Sequence, residues 1–204
     1  MPGGSILYLV RHGESAGNVN PAARRSDDPP LTDRGLAQAS RAATALGRLG
    51  IDAVYSSPLR RARETAEAIA DAAGLTVRIA EGFTEVDMGS LGDPETPGAR
   101  TERDAIFSAW LAGDRSRAFP GGEDFPAVVR RVRDGLRAIV AAAPGARVAV
   151  VTHRIAIAAA AALCEPGGAA VPPGACPNGA ITTIAAEEGD RFRLVAWGDA
   201  RPLA

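Results

Sequence analysis

Apolar residues fall along this chain in two rhythms: short continuous runs, and longer stripes at helical spacing. The first run, Ile6-Leu7-Tyr8-Leu9-Val10, stops at Arg11 and predicts a strand. A loop rich in Gly, Asn and Pro follows. Thr32 then stands where a helix N-cap belongs, ahead of the apolar positions Leu36, Ala39, Ala43 and Leu46, and Gly50 closes that helix. Ala53-Val54-Tyr55 predicts a second strand. Pro58 opens a second helix, whose Leu59, Ala62, Ala66, Ile69 and Ala73 form one buried stripe. Thr76–Ala80 predicts a third strand.

Residues 81 to 122 break this rhythm with several Gly and Pro residues and one helical segment near Ala105–Leu111. An irregular insertion of that length predicts a lid or specificity element, placed at about residues 86–126. A long amphipathic helix follows, with Phe125, Val129, Val132, Leu136 and Ile139 on one face. The strand Arg147–Val151 and an alanine-rich helix to about Leu163 come next. Ala180–Ala185 and Phe192–Trp197, joined across Glu188-Gly189-Asp190, predict a closing hairpin. Strands alternating with helices predict a three-layer α/β/α sandwich on a mostly parallel sheet. With no repeat or linker in the way, residues 1–204 are expected to form one domain.

Composition narrows the function mainly by exclusion. A net charge of −1 gives no pull toward nucleic acid or a membrane surface. No apolar stretch approaches the length of a membrane span, and the first residues lack the pattern of a signal peptide, so a cytoplasmic protein is expected. Cys164 and Cys176 match no zinc spacing and are expected as reduced thiols; no metal and no cofactor are expected. All 23 basic residues are arginine, so every positive charge available to a site is a fork-shaped donor suited to phosphate.

The chain has two histidines, and each follows an apolar run. His12 comes after the first strand, beside Arg11, and His153 after Val148-Ala149-Val150-Val151-Thr152. Open α/β sheets keep their chemistry at such strand ends. A neutral imidazole is a competent nucleophile toward phosphorus, and an arginine beside it can hold a phosphoryl oxygen. The segment from Ser56 to Thr65 starts a helix just past the second strand, where free backbone N–H groups gather anions. Arg60, Arg61 and Arg63 all lie there. Arg60/Glu64 and Arg63/Glu67 are spaced for ion pairs, so two of the three are expected on a solvated face. A general acid is also needed, because an alkoxide leaves poorly; Glu85 is the best-placed carboxylate, with Asp87 and Asp93 as rivals.

Taken together these blocks resemble the histidine phosphatase superfamily, the phosphoglycerate mutase-like fold. Leu9-Val10-Arg11-His12-Gly13-Glu14-Ser15 with Asn18 is similar to its first signature, and Pro30-Leu31-Thr32-Asp33-Arg34-Gly35 with Gln38-Ala39 to its second. Ser56-Ser57-Pro58-Leu59-Arg60-Arg61-Ala62 with Thr65-Ala66 selects Arg61 among the three arginines. Glu85-Val86-Asp87-Met88-Gly89, Pro120-Gly121-Gly122-Glu123 and Val150-Val151-Thr152-His153 complete the order. The resemblance implies metal-free phosphoryl transfer from a small phosphorylated metabolite. His12 becomes a phosphohistidine, while Arg11, Arg61, His153 and Asn18 hold the phosphoryl oxygens. Glu85 gives a proton to the leaving oxygen and then takes one from water. For these roles Glu85 must start protonated and His12 neutral. Arg154 departs from the family's usual Gly and offers an additional substrate-binding cation; Leu91 and Gly17 replace common aromatic residues. The insertion is short for a mutase, so hydrolysis ranks first. Phosphoglycerate mutase-type transfer and a non-catalytic phospho-ligand-binding protein are the alternatives.

Overall fold

The computed structural model describes residues 4–20, 23, 28–93, 95–164, 176–189 and 191–200. Its apolar runs become β1 (Ile6–Arg11), β2 (Ala53–Ser56), β3 (Val77–Ile79), β4 (Arg147–Thr152), β5 (Ile181–Glu187) and β6 (Arg191–Asp199). They pair into one sheet in the order β3-β2-β4-β1-β5-β6. The first four strands run parallel, and β5 and β6 close the sheet antiparallel. Between them lie α1 (Ala16–Val19), α2 (Asp33–Leu49), α3 (Arg60–Ala73), α4 (Ala99–Leu111), α5 (Phe125–Ala142) and α6 (Arg154–Ala162).

Alternation along each strand divides the core into two layers. Leu7, Leu9, Val148 and Val150 point to the side of α4, α5 and α6, among Ile106, Trp110, Phe125, Val132 and Leu136. Tyr8, Val10, Val54, Ala149 and Val151 point to α2 and α3, among Ala42, Leu46, Ala62, Ala66 and Ile69. Helices therefore cover both faces, which gives the α/β/α sandwich. Residues Ile155 to Ala162 of α6 are all buried, as expected of a helix that is apolar on every side. Among the described residues no helix is long and apolar enough to cross a membrane.

Several elements depart from the sequence expectation for local reasons. Leu36 is 52% exposed, and the inward face of α2 instead carries Gln38, whose Oε1 accepts the backbone N–H of Glu14 at 2.7 Å. A hydrogen bond to an otherwise unpaired N–H makes a buried glutamine worth more there than a leucine. Thr32 does cap α2, its side chain accepting from the N–H of Gly35 at 3.1 Å, and Gly50 ends it at φ 66°. The third helix begins at Arg60, not Pro58, because Pro58 and the N-cap Leu59 belong to the turn leaving β2. On α5 it is Val128, not Val129, that is fully buried, and α4 starts at Ala99, earlier than its apolar pattern suggests. The short α1 has no apolar stripe and was not expected. Asp190 of the hairpin turn and residues 24–27 lie outside the described residues.

Candidate active site

Strand register alone brings the two histidines together. Arg11 pairs with Thr152 at the ends of β1 and β4, and the N–H of His12 donates to the carbonyl of Thr152 at 3.0 Å. One residue further on, the rings of His12 and His153 meet with centroids 5.1 Å apart. β2 flanks β4 on the other side, and the N–H of Ser57 donates to Val151 at 3.0 Å. The first turn of α3 is thereby set against both imidazoles.

Arg61, in that turn, reaches both. Its Nε donates to Nε2 of His12 at 3.3 Å, and its Nη2 lies 3.3 Å from Nδ1 of His153. The other ring nitrogens fix the tautomers. Nδ1 of His12 lies 2.7 Å from the carbonyl of Gly13, which can only accept, so Nδ1 carries the proton and the lone pair sits on Nε2. Nδ1 of His153 faces a guanidinium, which can only donate; its Nε2–H is therefore left to donate to Oγ of Ser57 at 2.8 Å. In the free protein His153 thus presents an acceptor, not the donor expected from sequence, where Arg61 sits.

Both rings are buried, at 4% and 0% exposure, and that decides their charge. Burial first, then the charge of Arg61, pushes His12 down to about 3, with Arg11 adding to the effect and the Gly13 hydrogen bond opposing it. Burial likewise takes His153 well below its ordinary value, followed by the influence of His12, Arg61, Arg11 and Arg131. Glu85 moves the other way. Burial raises it against the N–H of Val86 and the charges of Arg61, Arg11 and Arg131. The arginines acting on His12 act on Glu85 as well, which puts the carboxyl in the same electrostatic neighbourhood as the nucleophile.

The surrounding loops are locked in place. The N–H of Gly13 donates to Oγ1 of Thr65 at 3.0 Å, and that hydroxyl donates to the carbonyl of Arg61 at 2.8 Å. A Cβ on Gly13 would come within 2.4 Å of the Gly35 carbonyl oxygen, so α2 can approach the nucleophile loop only because residue 13 has no side chain. The segment carrying Glu85 is strapped by Arg131, which forks onto Glu123 at 2.7 and 3.0 Å and donates to the carbonyls of Gly82 and Thr84 at 2.9 and 2.6 Å. Glu123 in turn accepts the N–H of Asp87 at 2.9 Å.

A model of the histidine phosphatase superfamily (branch 1) matches residues 7–200. The chain belongs to that superfamily. A relative from Erwinia tasmaniensis, described as a probable phosphoglycerate mutase GpmB, is 32% identical over 151 residues, 74% of this chain and 70% of the relative. Among solved structures, a mycobacterial glucosyl-3-phosphoglycerate phosphatase complexed with VO3 is 29% identical, with a TM-score of 0.77 over 95% of this chain and 99% of that one. Bacillus stearothermophilus YhfR is 27% identical, with a TM-score of 0.82 over 98% and 100% of the two chains.

Against this histidine phosphatase framework the remaining predicted residues take distinct places. Arg11 donates from Nη1 to the carbonyl of Cys176 at 2.8 Å, while its buried Nε has no partner among the described residues. Asn18 is exposed, and its Oδ1 accepts from the N–H and the hydroxyl of Ser15 and from Nδ2 of Asn178. It braces the loop beyond the nucleophile, and its own Nδ2 has no acceptor among the described residues. Arg154 is exposed, with its Cζ 6.0 Å from the centre of the Phe107 ring on α4. Cys176 is buried and Cys164 partly so, both as free thiols. Among the described residues no three His, Cys, Asp or Glu side chains gather as metal ligands. The structure also adds residues that sequence patterns missed. Ser57 orients His153, and Asn178 donates to the carbonyl of His12 at 2.9 Å from 166 positions away. The Ser-Ser pair and the Pro-Asn turn are visible in the sequence, but nothing local to them signals a partner so distant.

Proposed function

We propose that this chain is a metal-independent phosphomonoester hydrolase acting on a small phosphorylated metabolite through a phosphohistidine on His12. The observation that carries this reading is the single guanidinium of Arg61 within 3.3 Å of both His12 Nε2 and His153 Nδ1. Its N–H groups converge on the space where a phosphoryl group in line with Nε2 belongs. A phosphate entering there draws those donors onto its own oxygens and releases the Nε2 lone pair. That lone pair forms the N–P bond as the P–O bond to the leaving group breaks, and the proton of Glu85 passes to the departing oxygen. Water, deprotonated by the same carboxylate, then attacks phosphorus as the N–P bond breaks, which releases inorganic phosphate and returns His12 to its neutral form. Arg11, Arg61 and His153 balance the charge that spreads over the phosphoryl oxygens, with Asn18 at the rim; removing one such donor costs roughly 3 kcal/mol in sites of this kind.

The test is phosphate release from a panel of metabolite phosphates in EDTA, with His12→Ala alongside. EDTA-resistant release that disappears in the variant, with an acid-labile phosphoryl adduct on the wild-type chain, is the expected result. Release unaffected by His12→Ala would overturn the mechanism. The relatives described as probable mutases favour a second reading, phosphoryl transfer between positions of one substrate. What supports hydrolysis over it is the insertion, in which the described residues 87–93 and 95–122 hold one α-helix, α4. Interconversion stimulated by 2,3-bisphosphoglycerate, faster than phosphate release, would reverse the ranking.

A further inference from the structure

The carboxyl of Glu85 is placed by its own backbone. Its Oε1 accepts the N–H of the next residue, Val86, at 3.0 Å, so the course of residues 82–87 decides where the acid sits. That stretch follows β3 and belongs to no strand; side chains from elsewhere take its carbonyls one after another. Arg131 on α5 donates from Nη1 to the carbonyls of Gly82 and Thr84 at 2.9 and 2.6 Å. Thr152, the last residue of β4 before His153, donates from Oγ1 to that of Phe83 at 2.6 Å. On the far side of Glu85, the carboxylate of Glu123 accepts the N–H of Asp87 at 2.9 Å, and the N–H of Glu123 donates to the Asp87 carbonyl at 2.9 Å. Arg131 and Glu123 are joined by two hydrogen bonds of 2.7 and 3.0 Å, and at 22% and 23% exposure the pair is largely kept from solvent screening. α5 also makes room for the segment one turn further on, where a Cβ on Gly135 would come within 2.9 Å of the Phe83 ring. The general acid is thus flanked on both sides by one ion pair, anchored at a helix that carries none of the phosphoryl donors.

We infer that Arg131, locked by Glu123, is the positioning residue of the general acid: it holds Glu85 where a proton can pass to the leaving oxygen and takes no part in binding the phosphoryl group. The inference rests on the hydrolase reading and assigns one step within it. Breaking the P–O bond to an alkoxide needs the proton of Glu85, whereas a nitrophenolate leaves without one. A displaced acid therefore slows alkyl esters and spares aryl esters. General damage to the fold slows both. A misplacement of about 1 Å costs on the order of a hundredfold in such a step.

The experiment compares kcat/KM, which covers the steps up to departure of the leaving group, for two esters. One is p-nitrophenyl phosphate, the other the alkyl phosphate of the metabolite panel that wild type hydrolyses fastest. Arg131→Lys keeps the charge but cannot fork onto two carbonyls and a carboxylate. It should lower the alkyl ester by roughly tenfold to a hundredfold and leave the aryl ester within about twofold. Arg131→Ala should go further in the same sense. Added to Glu85→Gln, where the acid is already absent, Arg131→Lys should cost the alkyl ester almost nothing more. Equal losses on both esters, or a loss that adds in full to that of Glu85→Gln, overturn the assignment. If wild type hydrolyses neither ester, the hydrolase reading fails, and the strap is read from the Glu85 carboxyl by carbon NMR titration. Burial raises that carboxyl in wild type, against the Val86 hydrogen bond and the charges of Arg61, Arg11 and Arg131. A return toward the ordinary carboxylate range in Arg131→Lys, which keeps the charge, supports the positioning role; an unmoved midpoint overturns it.

Discussion

Replacing His12 with Asn should make the fold less sensitive to acid, by an amount the site itself sets. Asn keeps a donor for the Gly13 carbonyl but has no titrating ring. In the folded protein His12 is held down to about 3 from an ordinary value of 6.5, first by burial and then by Arg61. Below pH 6.5 the unfolded chain takes up a proton at residue 12 that the folded chain refuses until near pH 3. Acid therefore favours unfolding throughout that window. The contribution is fully present above the unfolded value and shrinks by roughly 1.4 kcal/mol for each pH unit below it. Between pH 8 and pH 5 wild type should thus lose about 2 kcal/mol more than His12→Asn. Urea denaturation of both proteins at the two pH values measures this difference directly, whatever constant offset the substitution introduces by altered packing. A difference between the two proteins that stays the same from pH 8 to pH 5 would refute the claim that His12 is buried neutral.

Three further outcomes follow from the same geometry. Glu85→Gln should cut kcat by roughly two to four orders of magnitude while leaving phosphate affinity largely intact, since the carboxyl moves a proton and does not hold the anion. Burial raises Glu85, so wild-type activity should persist above the usual carboxylate range and fall as pH rises through the raised value; a pH–rate profile whose alkaline limb survives in Glu85→Gln would assign that limb elsewhere. With Ser57 still accepting from its Nε2–H, His153 should take up a proton on phosphate binding, because its Nδ1 faces Arg61 as an acceptor and needs a proton to donate to a phosphoryl oxygen. Calorimetric titrations in buffers of different ionisation enthalpy give the number of protons, and equal heats would count against it. Gly13→Ala places a Cβ 2.4 Å from the Gly35 carbonyl oxygen and should cost roughly 1–3 kcal/mol, a fall of several degrees in Tm by scanning calorimetry.

The part of the site around the two histidines was legible because it is built from positions at or just beyond strand ends. An apolar run tells where a strand stops: Arg11 is the last residue of β1, and His12 and His153 lie just past the ends of β1 and β4. Parallel pairing of β1 with β4 and of β4 with β2 then forces them together, so the sheet order turns three separate motifs into one cluster. Gln38 and Asn178 were not legible on the same terms. Each satisfies one backbone group of the nucleophile loop, and a side chain that serves a distant backbone atom leaves no periodic trace in its own neighbourhood. Leu36 misled for a related reason: on α2 the inward position went to the residue that could donate or accept, not to the more apolar one.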